Sequence, residues 1–340
     1  MGPDLVTVGG LTVDHVITEA GDVGLSKSGG NGAYSAVGAL LWQCRVGLVS
    51  CAVETYPKPT LSRLEHHGID LAGVAWSTAK LTAGSWFIYD KQGRREEGLN
   101  SPSEALSDAG FPTDWLSPEQ IVAWRAALIE RQDPDEIDYG TFRTLNPLTV
   151  GQIPADWQTV RGAHIAPSSL SVMLAMSAFF EGGGTVITAD PGWQLAEHSL
   201  DEITPLLSRL DAFLPSEVEL RALVPGANNA DALRLLAQRC RGAVTVKLGP
   251  EGCLVWNREA QTADLVPIQP VKTLDPTGAG DGFSGGYLAG LVETGHPFKA
   301  AQFGAISAAR IVSCFGADGP LPHDRAAARA LLVPGVQACH

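Results

Sequence analysis

The sequence predicts an α/β fold, a mainly parallel central sheet with helices on both faces, and three observations predict it. Short β-rich runs at Leu5–Val8, Val46–Val53, Thr185–Ala189, Ala243–Leu248 and Cys253–Trp256 alternate with amphipathic stretches such as Leu61–His67 and Ala230–Arg241, as in successive βα units around a buried sheet. From Leu274 to Phe283 a strand-like segment passes through Thr277-Gly278-Ala279-Gly280-Asp281 into a helix. Residues 11–27 and 78–98 look extended without a following helix, and Gly84 to Asp90 with Gln92-Gly93 reads as a strand entering a hairpin turn, so a small β layer stands apart as a candidate lid.

With 340 residues, 45% of them hydrophobic, the chain is long enough to bury one large core, and we read 1–340 as a single domain. Between residues 100 and 157 the sequence turns rich in Pro, Asp, Glu and Trp, with one helical segment expected over Ser117–Arg131, capped by Ser117 with Pro118 at its first position. A net charge of -13 without a basic run argues against a nucleic-acid partner. No basic stretch followed by an apolar signal region opens the chain and no window approaches the roughly 20 apolar residues of a membrane span, so a cytoplasmic protein is expected. Gly2 lacks the Ser or Thr at position 6 that myristoylation needs, since that residue is Val6. The six cysteines, Cys44, Cys51, Cys240, Cys253, Cys314 and Cys339, are widely spaced and read as reduced core residues.

The helix expected from Gly278 leaves its first N–H groups without intrahelical partners, and three small residues let an anion approach them. Asp281 falls in the first turn, where a carboxylate can take the proton of a hydroxyl attacking a phosphoryl group held on those amides. Glycines in a tight turn and an acid complementing the helix dipole would give the same residues without chemistry.

The run Asp275-Pro276-Thr277-Gly278-Ala279-Gly280-Asp281 resembles the C-terminal signature of the ribokinase-like (PfkB) family of carbohydrate and nucleoside kinases. The resemblance extends from about Val8 to Pro322. It implies a three-layer α/β/α fold with a small β-sheet lid, in which 100–157 looks like an insertion, and an ATP-dependent, Mg²⁺-requiring kinase acting on a sugar or polyol. In Val8-Gly9-Gly10-Leu11-Thr12-Val13-Asp14, Asp14 would accept hydrogen bonds from substrate hydroxyls. Gly29-Gly30-Asn31-Gly32-Ala33-Tyr34 resembles the N-terminal signature, so Gly29, Gly30 and Asn31 are implied as substrate contacts, although Tyr34 stands where the family usually has Asn.

On the nucleotide side, Ser216-Glu217-Val218-Glu219 resembles an Asn-x-x-Glu motif, with Ser216 in place of Asn and Glu219 organising Mg²⁺ through water; a plain helix cap is the alternative. Lys247-Leu248-Gly249-Pro250-Glu251-Gly252 resembles a Lys-x-Gly-x-x-Gly element that passes close to the nucleotide, which implicates Lys247, Gly249 and Gly252. The helix Pro297–Phe315 with Gly316-Ala317 would close the adenine pocket, Asp275 and Thr277 would help hold K⁺ or Na⁺, and the apolar run Trp86-Phe87-Ile88-Tyr89 is compatible with a homodimer through the lid.

Three other patterns compete. Gly280-x-Gly282-x-x-Gly285 has dinucleotide-fold spacing but lies near the C-terminal end, and Gly21 to Ser28 nearly spells a phosphate loop but lacks its second glycine. Gly282-Phe283-Ser284-Gly285-Gly286 matches a nucleophile elbow, with Asp318 and His323 following in hydrolase order, so a serine hydrolase using Ser284 is the main alternative. A kinase fold that binds a ligand without turnover is the other.

Overall fold

The computed structural model describes residues 2–332 apart from 19, 21, 44, 82–84, 90–94, 98–116, 120–134 and 196. The expected helix Ser117–Arg131 and the Gln92-Gly93 turn fall largely outside the described residues.

The strands are β1 (Leu5–Val8), β2 (Thr12–Ile17), β3 (Val23–Gly29), β4 (Val46–Val53), β5 (Ile69–Ser77), β6 (Ser85–Tyr89), β7 (Arg95–Glu97), β8 (Gly162–Ile165), β9 (Val186–Ala189), β10 (Ala212–Phe213), β11 (Ala243–Lys247), β12 (Cys253–Asn257) and β13 (Thr262–Val266). Nine form one sheet in the order β13-β12-β11-β10-β9-β8-β1-β4-β5, and the other four form a separate sheet ordered β3-β2-β6-β7. The large sheet is parallel from β5 to β11 and antiparallel only at β12 and β13. In the small sheet β2 runs antiparallel to β3 and parallel to β6, which pairs antiparallel with β7.

The helices that matter here are α1 (Asn31–Leu40), α2 (Lys58–His67), α3 (Tyr139–Leu145), α4 (Leu170–Phe180), α5 (Leu200–Leu207), α6 (Glu217–Leu223), α7 (Asn229–Ala237), α8 (Ala279–Thr294) and α9 (Pro297–Val312). Alternation along the central strand sorts them into two layers. Val6 and Val8 face a core with Met173, Met176, Ile203, Leu206, Leu220 and Leu233 from α4 to α7. Leu5 faces the other side with Leu40, Leu64, Leu288 and Ile306 from α1, α2, α8 and α9. Glycines let α8 lie against its neighbours: a Cβ on Gly285 would collide with the Ser35 carbonyl of α1, and one on Gly286 with Ser307 of α9.

β5, β8, β13 and α4 were not anticipated. β8, Gly-Ala-His-Ile, is short and broken by a histidine, so its burial comes from neighbouring strands rather than from a local apolar run. Among the described residues no helix is long and apolar enough to cross a membrane. Cys240 and Cys253 are buried free thiols, whereas Cys51 and Cys314 are only half-buried.

His164 illustrates the cost of the central position. It is fully buried and shares a 2.9 Å hydrogen bond between its Nδ1 and Thr188 Oγ1 on β9. Burial, aided by the Lys247 ammonium, drives the imidazole from an ordinary 6.5 down to about 3. Between these values the unfolded chain binds a proton that the folded chain does not, so stability rises with pH there and is lost on acidification. Melting from about pH 7 to pH 5 is expected to reveal a loss of about 2 kcal/mol from this residue, and His164→Gln to flatten the profile; an unchanged slope in the variant would contradict this.

Candidate active site

The site forms where the strand order reverses. β1 has β4 on one side and β8 on the other, so the connections leaving β1 and β8 diverge and open a crevice at the carboxyl ends of the strands. Gly9, Gly10 and Pro167 lie at that crevice, which the small sheet flanks through β2.

Asp14 lies on β2 with its side chain buried against β3. A Cβ on Gly29 would overlap the Asp14 carboxylate, and a Cβ on Gly30, whose φ is 95°, would strike the Gly10 carbonyl. The two glycines thus create the space that the carboxylate and the β1 turn occupy. Gly29→Ala is expected to displace Asp14 and destabilise the fold by about 1–3 kcal/mol, read by thermal melting; an unchanged melting temperature would contradict the overlap.

Asn31 has a structural role beside the expected substrate contact. Its Oδ1 accepts from the Gly10 amide at 2.6 Å and its Nδ2 donates to the Pro167 carbonyl at 2.9 Å. The side chain ties the β1 turn to the β8 turn and positions the crevice, with one Nδ2 hydrogen left for a ligand. Tyr34 is buried on α1 with a hydroxyl that has no hydrogen-bond partner. Burial, then Asp14, Asp275, Tyr89 and Asp281, holds its phenol well above the ordinary 10. Asp14 and, more weakly, Asp281 both contribute to that rise, so each carboxylate lies within electrostatic reach of the Tyr34 hydroxyl.

The opposite wall is the start of α8. Gly278 is its N-cap with φ 75°, a conformation that favours glycine, and the Tyr34 ring fills the place where a Cβ would go. No side chain caps this helix. Gly278, Ala279, Gly280 and Asp281 are all partly exposed, whereas the helix from Gly282 to Leu291 is buried. The Ala279 amide donates to the Pro276 carbonyl at 3.2 Å, which leaves the Gly278 and Gly280 amides to meet an anion, with Asp281 in the first turn beside them.

Lys247 ends β11 and aims at the same place: a Cβ on Gly280 would lie 3.4 Å from its Nζ. Its ammonium is paired with Asp190, a buried residue at the end of β9. Burial pushes the Asp190 carboxyl up to about 7 even though the Lys247 ammonium pulls it the other way. Burial opposes the charge on Lys247, but Asp190, Glu219 and Asp281 together carry the ammonium above its ordinary 10.5.

Asp190 is the site residue that sequence reasoning missed; its signal was an acid directly after a buried parallel strand, in Thr188-Ala189-Asp190-Pro191. Its Oδ1 is buried without a hydrogen-bond partner. Glu219 is close enough to influence that carboxyl, although among the described residues no three acidic, histidine or cysteine side chains gather as a metal cage.

Ser216 and Glu219 form a capping box at the start of α6. Glu219 N donates to Ser216 Oγ at 3.3 Å and Ser216 N to Glu219 Oε2 at 2.7 Å. Ser216 thus serves as the cap, while Glu219 both caps and contributes charge at Lys247. Gly249 and Gly252 shape the β11–β12 turn, with φ of 59° and 98°; the position of a Gly249 Cβ is open, whereas a Gly252 Cβ would meet the Val266 carbonyl.

Asp275 is buried; its Oδ1 accepts from the Thr277 amide at 2.9 Å and its Oδ2 has no hydrogen-bond partner, and burial raises its carboxyl. Thr277 Oγ1 in turn lies 2.9 Å from the Tyr89 hydroxyl, which links β6 of the small sheet directly to the anion loop.

The elbow pattern fails on geometry. Ser284 lies inside α8, fully buried, its hydroxyl 3.0 Å from the Gly280 carbonyl and 3.3 Å from Asp190 Oδ2, so no strand-to-helix turn presents a nucleophile. Gly280, Gly282 and Gly285 lie within the same helix, and Val23 to Ser28 lie in β3.

A model of the pfkB family carbohydrate kinases matches residues 154–324, half of the chain. The chain belongs to that family. It is similar to the cytidine kinase of Thermococcus kodakarensis, at 24% identity over 299 residues, 87% of this chain and 91% of that protein. It is also similar to the ribokinase of Haemophilus influenzae, at 24% identity over 339 residues, 95% of this chain and 96% of that protein. Among solved structures, the aminoimidazole riboside kinase of Salmonella enterica with aminoimidazole riboside and an ATP analog shares the fold, with TM-score 0.66 at 16% identity over 97% of this chain and 100% of that one.

Proposed function

We propose that this pfkB family chain transfers the γ-phosphoryl group of ATP to an alcohol of a sugar or sugar-like small molecule. The single observation that carries the reading is the meeting at the start of α8 of an uncapped, partly exposed helix end, the Lys247 ammonium and Asp281, facing the buried Asp14 across Tyr34.

The roles follow from the chemistry of each group. Asp14 accepts hydrogen bonds from acceptor hydroxyls, and Asn31 holds the β1 and β8 turns that line them. The Gly278 and Gly280 amides receive the γ-phosphate over the small Ala279 side chain, Lys247 adds positive charge on its flank, and Gly249 and Gly252 shape the loop beside the nucleotide. Asp190 and Glu219 are suited to hold Mg²⁺, which when bound offsets the negative charge of the phosphate oxygens. Asp281 takes the proton of the attacking hydroxyl. The unpartnered Asp275 Oδ2 and the nearby Thr277 suit K⁺ or Na⁺ under the loop. Through Tyr89 and Thr277 the small sheet closes over the acceptor as a lid, which excludes water from the transfer.

The test is ADP release measured with Mg²⁺ and ATP against pentoses, hexoses, sugar acids, polyols and nucleosides. Release that requires one of these acceptors is the expected result. Acceptor binding by calorimetry without any ADP release would instead identify a fold that binds without turnover.

A further inference from the structure

Beside the proposed acceptor site, a cavity of about 370 Å³ opens between α3 and the carboxyl ends of β1, β4, β8 and β9. The two spaces adjoin. Gly10, whose amide is bound by Asn31, lines the cavity, and the Tyr139 hydroxyl of α3 lies where a Gly10 Cβ would stand. Asp14 is also close enough to raise the Tyr139 hydroxyl, behind the larger effect of burial.

Among the described residues Arg143 is the only charged one lining this cavity. Its guanidinium reaches the Pro167 carbonyl at 3.4 Å and Gln194 Oε1 at 3.3 Å, and it lies 5.8 Å over the Tyr139 ring. All of these neighbours are neutral. Arg241 and Arg329 take carboxylate partners, Asp211 and Glu293, whereas Arg258 and Arg325 bind main-chain carbonyls outside this cavity. In a chain of net charge -13, a half-buried guanidinium facing a cavity with no acid among its described lining residues suits the recognition of an anion. Ser168 and Ser169, which also line the cavity, supply further hydroxyl donors.

We propose that Arg143 and this cavity bind an anionic group, a carboxylate or a phosphate, carried by the acceptor away from the hydroxyl that is phosphorylated. The acceptor is then an acidic sugar or polyol, held at one end by Asp14 and at the other by Arg143. The proposal rests on the phosphotransferase reading above and gives a role to the α3 part of the 100–157 segment.

The test compares ADP release for acceptors that differ only at the distal group: an aldose or polyol, the matching aldonic acid and the matching sugar phosphate, with ribonucleosides alongside. One charged member is expected to give kcat/KM at least about tenfold above its neutral counterpart, and the preferred member tells carboxylate from phosphate. Arg143→Gln is expected to remove that advantage mainly through KM, and Arg143→Lys to restore part of it. Equal use of neutral and charged acceptors, a preference for ribonucleosides, or an Arg143→Gln variant with unchanged KM would overturn the subsite. Calorimetric binding of the aldonic acid and of the sugar phosphate in the absence of ATP separates the two readings. Arg143-dependent binding without ADP release would sink the kinase reading and keep the subsite. ADP release from a charged acceptor that Arg143→Gln does not alter would sink the subsite alone.

Discussion

Replacing Asp281 with Asn is expected to lower kcat by about a hundredfold or more while changing KM for ATP only modestly. The amide keeps the size and the first-turn position of the residue but cannot take a proton, so nucleotide binding on the Gly278 and Gly280 amides should persist while transfer fails. The other first-turn features, Gly278 with φ 75° and the Tyr34 ring beside it, are untouched by the change. Steady-state ADP release with the best acceptor checks the expectation. A variant with wild-type kcat would remove Asp281 from the mechanism and leave its carboxylate as a complement to the helix dipole.

The second large effect is expected at Lys247. Lys247→Met leaves the Asp190 carboxyl buried without its cation, a change that costs about 3–5 kcal/mol when the charge is retained. Burial already pushes that carboxyl up to about 7, and loss of the ammonium moves it further in the same direction. A carboxyl raised above its unfolded value favours folding in acid and loses that contribution as the pH rises through the folded value. The deficit of the variant should therefore be smallest near pH 4 and grow as the pH is raised through 7. Pairing Lys247→Met with Asp190→Asn should recover much of the stability, because no charge is then buried, yet leave phosphotransfer lost. Thermal melting across pH together with ADP release checks both halves; a single variant as stable as wild type at pH 8 would contradict the ion pair's role.

The parts of this molecule legible in the sequence are those set by local pattern. The runs Leu5–Val8 and Val46–Val53 became strands with those bounds, because an apolar β-branched run between turn residues has few other ways to bury itself. The start of α8 followed from small residues before an acid. Less legible was anything that depends on partners brought in by topology. β8 forms between β1 and β9 although it contains His164. An acid before a proline, as in Asp190-Pro191, is equally common in plain turns, and only the fold brings Asp190 to Lys247, 57 residues later.

At Asn31 the sequence suggests a ligand contact, and only the fold shows that its side chain also holds the Gly10 amide and the Pro167 carbonyl, 21 and 136 residues away in sequence. Arg143 could not be read at all, since an arginine in a polar segment is usually solvated and only the placement of α3 turns it toward a cavity. Tyr34 occupies the place of an expected polar residue and packs its ring on Gly278, which makes the aromatic side chain part of the anion loop's support.

The central claim, that the amides at the start of α8 hold the transferring phosphoryl group while Asp281 receives the proton, is tested most directly by a crystal structure with Mg²⁺, ADP, aluminium fluoride and the best acceptor. The account predicts the planar fluoride bound on the amides of Gly278 and Gly280, with an Asp281 oxygen about 3 Å from the acceptor hydroxyl. A fluoride bound elsewhere, or an Asp281 carboxylate turned away from the acceptor, would contradict it.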